Sequence, residues 1–176
     1  ASDVYKRQEW LRLENCKKRI LAEDIKSKIN LPPFNNSAVD GYAILKSDIK
    51  LGAKLICKKR VAAGDNKIVK INKGEVIRIF TGARMPENSR TVVMQENIKV
   101  NNDIVVIKKI PFLGENHRIK GEDIKRGQTI LKKGTNINAN NLNLIAAIGT
   151  KKVKVFKKIK VGFFTSGNEL QHITNK

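Results

Sequence analysis

The sequence predicts an α+β protein: a small helical domain, a β domain inserted into it, and then the first strands of a truncated α/β domain. Three observations predict it. Apolar residues recur at helical spacing in residues 9–22 and again in 134–149. Between these segments lie Val- and Ile-rich runs separated by Gly, Asn and Asp. After them, a continuous apolar run enters the polar turn of "VGFFTSGNEL", the pattern of a first strand and βα turn in an open α/β sheet.

Residues 1–8 match no pattern that follows and are left unassigned. Leu13, Cys16, Ile20 and Leu21 predict a helix over 9–22. Leu31-Pro32-Pro33 ends any helix, because proline disfavours helical geometry in the residue before it. Strands are predicted at 54–62, 67–71, 75–80, 91–96 and 104–110, with a hairpin turn at Asn101-Asn102-Asp103. Asn138 is suited to cap a second helix, Leu142, Ile145, Ala146 and Ile148 to form its apolar face, and Gly149 to end it. This helix is expected to pack on the first. Residues 153–156 and 159–164 read as strands. The latter would need a crossover and a partner strand, so the chain reads as a fragment. The domains are therefore 9–30 with 128–150 (helical), 31–127 (β) and 151–176 (start of the α/β domain).

The chain has 176 residues and a formal net charge of +20, from 36 basic and 16 acidic residues. Two readings of that surplus stand. Lys, Asn and Ile are all heavily used, which points to compositional bias, and a large positive field also attracts anions. Cys16 and Cys57 form no C-x-x-C pattern and only two histidines are present, so neither a zinc site nor a disulfide framework is indicated. They read as reduced thiols of an intracellular protein. No apolar run approaches the roughly 18 residues of a membrane span, and no signal-peptide pattern is visible. A cytoplasmic, soluble protein is predicted, with no membrane partner.

Four loops place small residues beside groups able to bind an oxyanion or a metal: "NNSAVDGY", "FTGARMPE", "GENHRIKGEDIKRG" and "TSGNEL". Glycine beside a polar residue lets backbone N–H groups approach an anion. Thr81-Gly82 follows a predicted strand, Arg118 and Lys120 supply positive charge, and Asp40, Asp123 and Glu169 are hard oxygen ligands of the kind Mg²⁺ prefers. Each also has an ordinary reading. Asp40-Gly41 is a common turn dipeptide, Glu122-Asp123 suits a solvated loop, Thr81 a local backbone bond, and Asn168-Glu169 a helix start. No Walker, Rossmann, Ser-His-Asp or zinc pattern is present.

Taken in order, the loops resemble one family, the MoeA-type molybdopterin molybdenumtransferases, which also recur as a domain of gephyrin. "LPPFNNSAVDGYAI" is similar to the family's "LPPFDNSAMDGYAV", and "RIFTGARMPENSRTVVMQEN" to "RIMTGAPLPEGADTVVMQEN". "GENHRIKGEDIKRG" is similar to "GENIRRKGEDIKKG", and "VGFFTSGNEL" to "VALFSTGDEL". "KRILAEDI" fits the segment before the first motif.

The resemblance implies a reaction in which adenylylated molybdopterin loses its adenylate and receives molybdenum from molybdate, with Mg²⁺ as cofactor. It also implies a homodimer, a molybdopterin-binding α/β domain, and an active-site cleft completed by the partner subunit. Carried over by position, Asp40, Thr81, Asp123 and Glu169 are the implied catalytic residues, and Ser37, Gly82 and Arg118 the implied substrate-binding ones. Asp40, Asp123 and Glu169 are the metal-ligand candidates. Gly41 is expected to let the backbone turn and present Asp40. The motifs depart from the family at Arg84 (commonly Pro), Ile119 (commonly Arg), Thr165-Ser166 and Asn168 (commonly Asp). As a fragment, the chain alone is expected not to insert molybdate. The alternatives are a nucleic-acid- or anion-binding module, disfavoured by the lack of an aromatic-rich recognition strand, and a gephyrin-like scaffold without catalysis.

Overall fold

The structure, a computed structural model, describes residues 7–65, 67–164 and 166. In chain order the strands are β1 (Gln8–Arg12), β2 (Ile25–Lys26), β3 (Asn36–Ser37), β4 (Gly41–Ile44), β5 (Lys54–Val61), β6 (Glu75–Ile79), β7 (Thr91–Met94), β8 (Ile98–Asn101), β9 (Ile104–Ile107), β10 (His117–Arg118), β11 (Thr129–Leu131) and β12 (Lys152–Phe156). The helix α1 (Ala139–Ala147) lies between the last two. The fold is α+β. The chain divides into two compact units, residues 1–25 with 130–176, and residues 26–129. No helix among the described residues is long and apolar enough to cross a membrane.

The second unit is built on a six-stranded mixed sheet in the order β7-β4-β6-β5-β9-β8. Side chains alternate across a strand, and here both faces are covered. Tyr42 and Ile44 of β4 join Leu55, Val76, Val93, Val105 and Ile107 in one core. Ala43, between them in sequence, joins Val61, Ile77, Ile79, Met85 and Val92 in the other. All four residues of β4 are buried. This two-sided burial is why the central strands read as near-continuous apolar runs. Strand β5 runs parallel to β6, with a register irregularity between Cys57 and Lys59.

Most of the predicted strands are present. The hairpin forms with β8 antiparallel to β9, and Asn102 takes a left-handed φ of 51° at its turn. The strand expected at 67–71 is absent. Ile71 instead has its backbone N–H and C=O satisfied by the Asn88 side-chain amide, at 3.0 and 2.7 Å. An amide side chain thus supplies the pairing that a neighbouring strand would otherwise give.

In the first unit, α1 forms as expected. Asn138 and Asn141 cap each other reciprocally, each side-chain oxygen accepting the other's N–H at 2.9 and 3.0 Å. Gly149 follows the helix with φ 74°. The helix expected at 9–22 does not form. Residues 8–12 are β1, antiparallel to β12, followed by a 3-10 turn at Leu13–Asn15. Arg19 ties this segment to Glu9 and donates to the Phe156 carbonyl at 2.8 Å, and Lys18 takes a left-handed φ of 63° that no helix accommodates. A partner about 140 residues away in sequence overrides the local helical spacing. Helix α1 packs near the Leu13–Asn15 turn rather than on another helix. Residues 159–164, expected as a strand, have no strand partner among the described residues, and Phe163 and Phe164 are about nine-tenths exposed.

Candidate active site

Strand β4 lies between β6 and β7 and is antiparallel to both. The start of β4 therefore lies beside the ends of β6 and β7. Asp40 immediately precedes β4, and Thr81 closely follows β6. The Thr81 backbone N–H and hydroxyl both donate to Asp40 Oδ1 at 2.8 Å. From β7's end, the Gln95 N–H donates to the Asp40 carbonyl at 3.2 Å. These contacts fix the Asp40 backbone and one carboxylate oxygen. Oδ2 takes no hydrogen bond from the described residues. The Thr81 N–H, then its hydroxyl, and then the Arg78 charge hold the Asp40 carboxyl below the usual carboxylate range.

Gly41 is not a turn residue. It opens β4, and its missing side chain leaves room for the neighbouring strand: a Cβ there would lie 2.2 Å from the Val93 carbonyl oxygen. The turn that carries Asp40 is made by Ser37, buried, whose hydroxyl donates to the Val39 carbonyl at 2.6 Å and accepts the Val39 N–H at 3.3 Å. The Gly82 N–H donates to the Ser37 carbonyl at 2.8 Å, and Ser37 N–H to the Ala83 carbonyl at 3.0 Å. The backbone donors that the sequence assigned to an incoming oxyanion are thus engaged in joining the two loops.

The third loop attaches through β10, which pairs with β3 so that Arg118 lies opposite Asn36 and His117 opposite Ser37. Arg118 Nε donates to Glu122, and one terminal nitrogen donates to both Asp123 oxygens at 2.8 and 2.7 Å. Glu122 also accepts the Ile119 N–H at 2.8 Å. That bond, and then Arg118, lowers the Glu122 carboxyl pKa, while the two carboxylates raise that of Arg118. Asp123 donates its N–H to the Leu31 carbonyl at 3.0 Å, beside the cis Leu31-Pro32 bond.

Six candidates, Ser37, Asp40, Thr81, Gly82, Arg118 and Asp123, therefore belong to three loops of one hydrogen-bonded unit. They form two clusters, Asp40 with Thr81 and Arg118 with Asp123, joined through β3. Glu169 lies outside the described residues. Among the described residues, no three His, Cys, Asp or Glu side chains group as a metal site. Both Asp123 oxygens bond to Arg118, so the carboxylate suited to a hard cation is Asp40, through Oδ2. One carboxylate is enough where Mg²⁺ is shared with substrate oxygens and water.

Three residues escaped the sequence reading. Arg78 lies over the rings of Tyr42 and Phe80, at 4.9 and 5.0 Å, and donates to Gln95, which directs its charge toward Asp40. Glu122, which the sequence reads as part of a solvated loop, pairs with Arg118 across a turn rather than along a helix. Asn35 clasps two loops: its carbonyl accepts the Met85 N–H at 2.9 Å and its Oδ1 the Lys120 N–H at 2.8 Å. No sequence signal marks this role.

His117 replaces the Ile of the family motif. Its Nε2 is buried without a hydrogen-bond partner among the described residues, as is Asn36 Oδ1. Burial, and then the Arg90 charge, pushes its pKa below the usual histidine value, against an opposing pull from Glu122. An unpaired buried nitrogen is costly, so His117→Ile is expected to stabilise the chain by about 1–2 kcal/mol. With the folded pKa lowered, the histidine's favourable contribution is full above about 6.5 and is lost as pH falls through the folded value. The advantage of the Ile variant should therefore widen between about pH 6.5 and pH 5. Paired urea titrations across that range check it; a variant no more stable at either pH would show that the nitrogen finds a partner in solution.

Mixed sheet, doubly covered core and three loops converging at one end define an α+β protein whose site is a preorganised carboxylate next to basic and hydroxyl groups. The chain belongs to a family: residues 2–149 match the model described as the MoeA N-terminal region (domain I and II). It is 37% identical over 166 residues to the molybdopterin molybdenumtransferase of Haemophilus influenzae, covering 94% of this chain and 41% of that protein. The Nostoc sp. molybdopterin molybdenumtransferase is 35% identical over 157 residues, covering 86% and 36%. The molybdopterin biosynthesis MoeA protein of Pyrococcus horikoshii OT3 superposes with a TM-score of 0.80 at 33% identity, covering 86% of this chain and 41% of that one. This chain thus spans about two fifths of the length of these relatives.

Proposed function

We propose that this chain supplies the N-terminal part of a cytoplasmic molybdopterin molybdenumtransferase, acting in molybdenum cofactor biosynthesis on adenylylated molybdopterin and molybdate, in a homodimer. The family match and the relatives' names support the pathway. The observation that carries the site assignment is the Asp40–Thr81 pair, in which two donors fix one carboxylate oxygen and leave the other without a partner among the described residues.

In this reading Asp40, its pKa lowered by Thr81, would hold Mg²⁺ through Oδ2. The metal, when bound, would supply positive charge against phosphate and molybdate oxygens. Thr81 keeps the carboxylate oriented, so no reorganisation is needed when the substrate arrives. Arg78 adds positive potential beside it. Arg118, engaged by Glu122 and Asp123, orders the third loop rather than presenting a free guanidinium. Glu169 is assigned to the same site by its motif alone.

The test is a replacement. The purified chain, given adenylylated molybdopterin, molybdate and Mg²⁺, is expected to release no AMP. A chimera in which it replaces the matching region of the Haemophilus influenzae relative is expected to release AMP in a molybdate-dependent manner. A folded, dimeric chimera with no turnover would overturn the assignment.

A further inference from the structure

The second unit also has an open pocket of about 460 Å³, lined by neither Asp40 nor Thr81. That is within the range of small-molecule sites, far larger than a bare oxyanion requires. Its walls include Phe34 and Met85, and its charged groups are Arg84, Lys120 and Glu87. The Arg84 guanidinium lies 5.5 Å over the Phe34 ring, which holds it in place. Glu87 pairs with Lys70 at 3.6 Å. Neither Arg84 nor Lys120 has a carboxylate partner among the described residues.

The two cations stand on loops far apart in sequence, and the Asn35 clasp positions both. Its carbonyl accepts the N–H of the residue after Arg84, and its side-chain oxygen accepts the Lys120 backbone N–H. An isolated bridge between Asn36 and Arg84 fixes the same rim. Arg84 also stands where the resembling motif commonly carries Pro, so the guanidinium is this chain's own addition. Two cations without carboxylate partners among the described residues, on a mostly polar pocket with the Phe34 ring in its wall, fit a ligand with one anionic end and a small organic group.

We infer that this pocket binds an organic phosphate monoester: Arg84 and Lys120 take the phosphate, and Phe34 contacts the organic group. The site is separate from the proposed transfer site and does not depend on that assignment. Arg84 fits as a forked donor to two phosphate oxygens and Lys120 as a point charge.

The experiment is calorimetric titration of the full chain at physiological ionic strength with phenyl phosphate, inorganic phosphate and phenol. Phenyl phosphate is expected to bind about tenfold or more tightly than either of the others, as removal of a charge-assisted contact or of the apolar contact predicts. Arg84→Gln and Lys120→Gln are each expected to weaken it about tenfold. Arg84→Lys should retain part of the affinity, and Lys58→Gln, at an exposed position of β5, all of it. Melting curves confirm that each variant folds. Equal binding of inorganic phosphate would overturn the organic-group contact. Unchanged affinity in the Arg84 and Lys120 variants, or an equal loss in Lys58→Gln, would overturn the site in favour of diffuse attraction by the net charge. Asp40→Asn should leave phenyl phosphate binding intact; a loss there would assign the ligand to the transfer site instead.

Discussion

Gly41→Ala is expected to destabilise the chain by roughly 3 kcal/mol or more, lowering the melting midpoint by about 10 °C. The added Cβ would sit 2.2 Å from the Val93 carbonyl oxygen and 2.9 Å from Val92 Cγ1. The first is backbone in a paired strand and cannot rotate away. Strand β4 is also held on its other edge by β6, so it cannot retreat without breaking that ladder. Gly162→Ala is the control, since nothing lies within 4 Å of its Cβ position and its backbone is not left-handed. It should change stability by less than about 0.5 kcal/mol. Urea denaturation of both checks the pair; similar small losses would show that β4 tolerates a side chain at its entry.

Asp40→Asn carries the largest expected functional effect. In the chimera, it should lower kcat about 100-fold while leaving the melting curve close to wild type. The amide keeps the volume but loses the charge that the proposed metal requires. Thr81→Val separates charge from orientation. It retains the backbone N–H bond to Oδ1 but removes the hydroxyl bond, and about a tenfold loss is expected. The Asp40 carboxyl is held low by Thr81's two bonds and by Arg78. The benefit of its ionised form is therefore present above the ordinary carboxylate pKa and lost as pH falls through the lowered folded value. Removing the hydroxyl raises that value, so the acid limb of the Thr81→Val pH–rate profile should move to higher pH. An Asp40→Asn chimera of wild-type kcat would remove Asp40 from the mechanism.

The sheet of the second unit was legible because its strands carry dense Val and Ile between Gly and Asn punctuation, as in β6, β7 and the β8–β9 hairpin. The N-terminal segment was not. Its helical spacing of Leu13, Cys16, Ile20 and Leu21 is real, but β1 takes its hydrogen bonds from β12, and no local window contains that partner. Residues 67–71 failed for a related reason, since the Asn88 amide answers Ile71 across a loop. The motifs singled out Asp40, Thr81, Arg118 and Asp123, which stand on linked loops. They did not pair Asp40 with Thr81, a consequence of β4 lying beside β6. They also misassigned Gly41, because an Asp-Gly dipeptide looks the same whether it bends the chain or lets another strand come close. Arg78 escaped because its function depends on two rings, Tyr42 and Phe80, that flank it only in three dimensions.

The doubly covered β4 has a mechanical consequence. Sliding that strand by one position would put an alanine-sized occupant where the tyrosine sits on one side of the sheet and a tyrosine-sized one where the alanine sits on the other. One interior would be left hollow and the other overfilled. Volume mismatch thus acts as a detent, and the carboxylate one residue upstream inherits its setting from the fit of Tyr42 and Ala43 on opposite faces. Attempts to adjust catalysis by repacking either interior should therefore shift the acid group's coordinates along with the melting temperature.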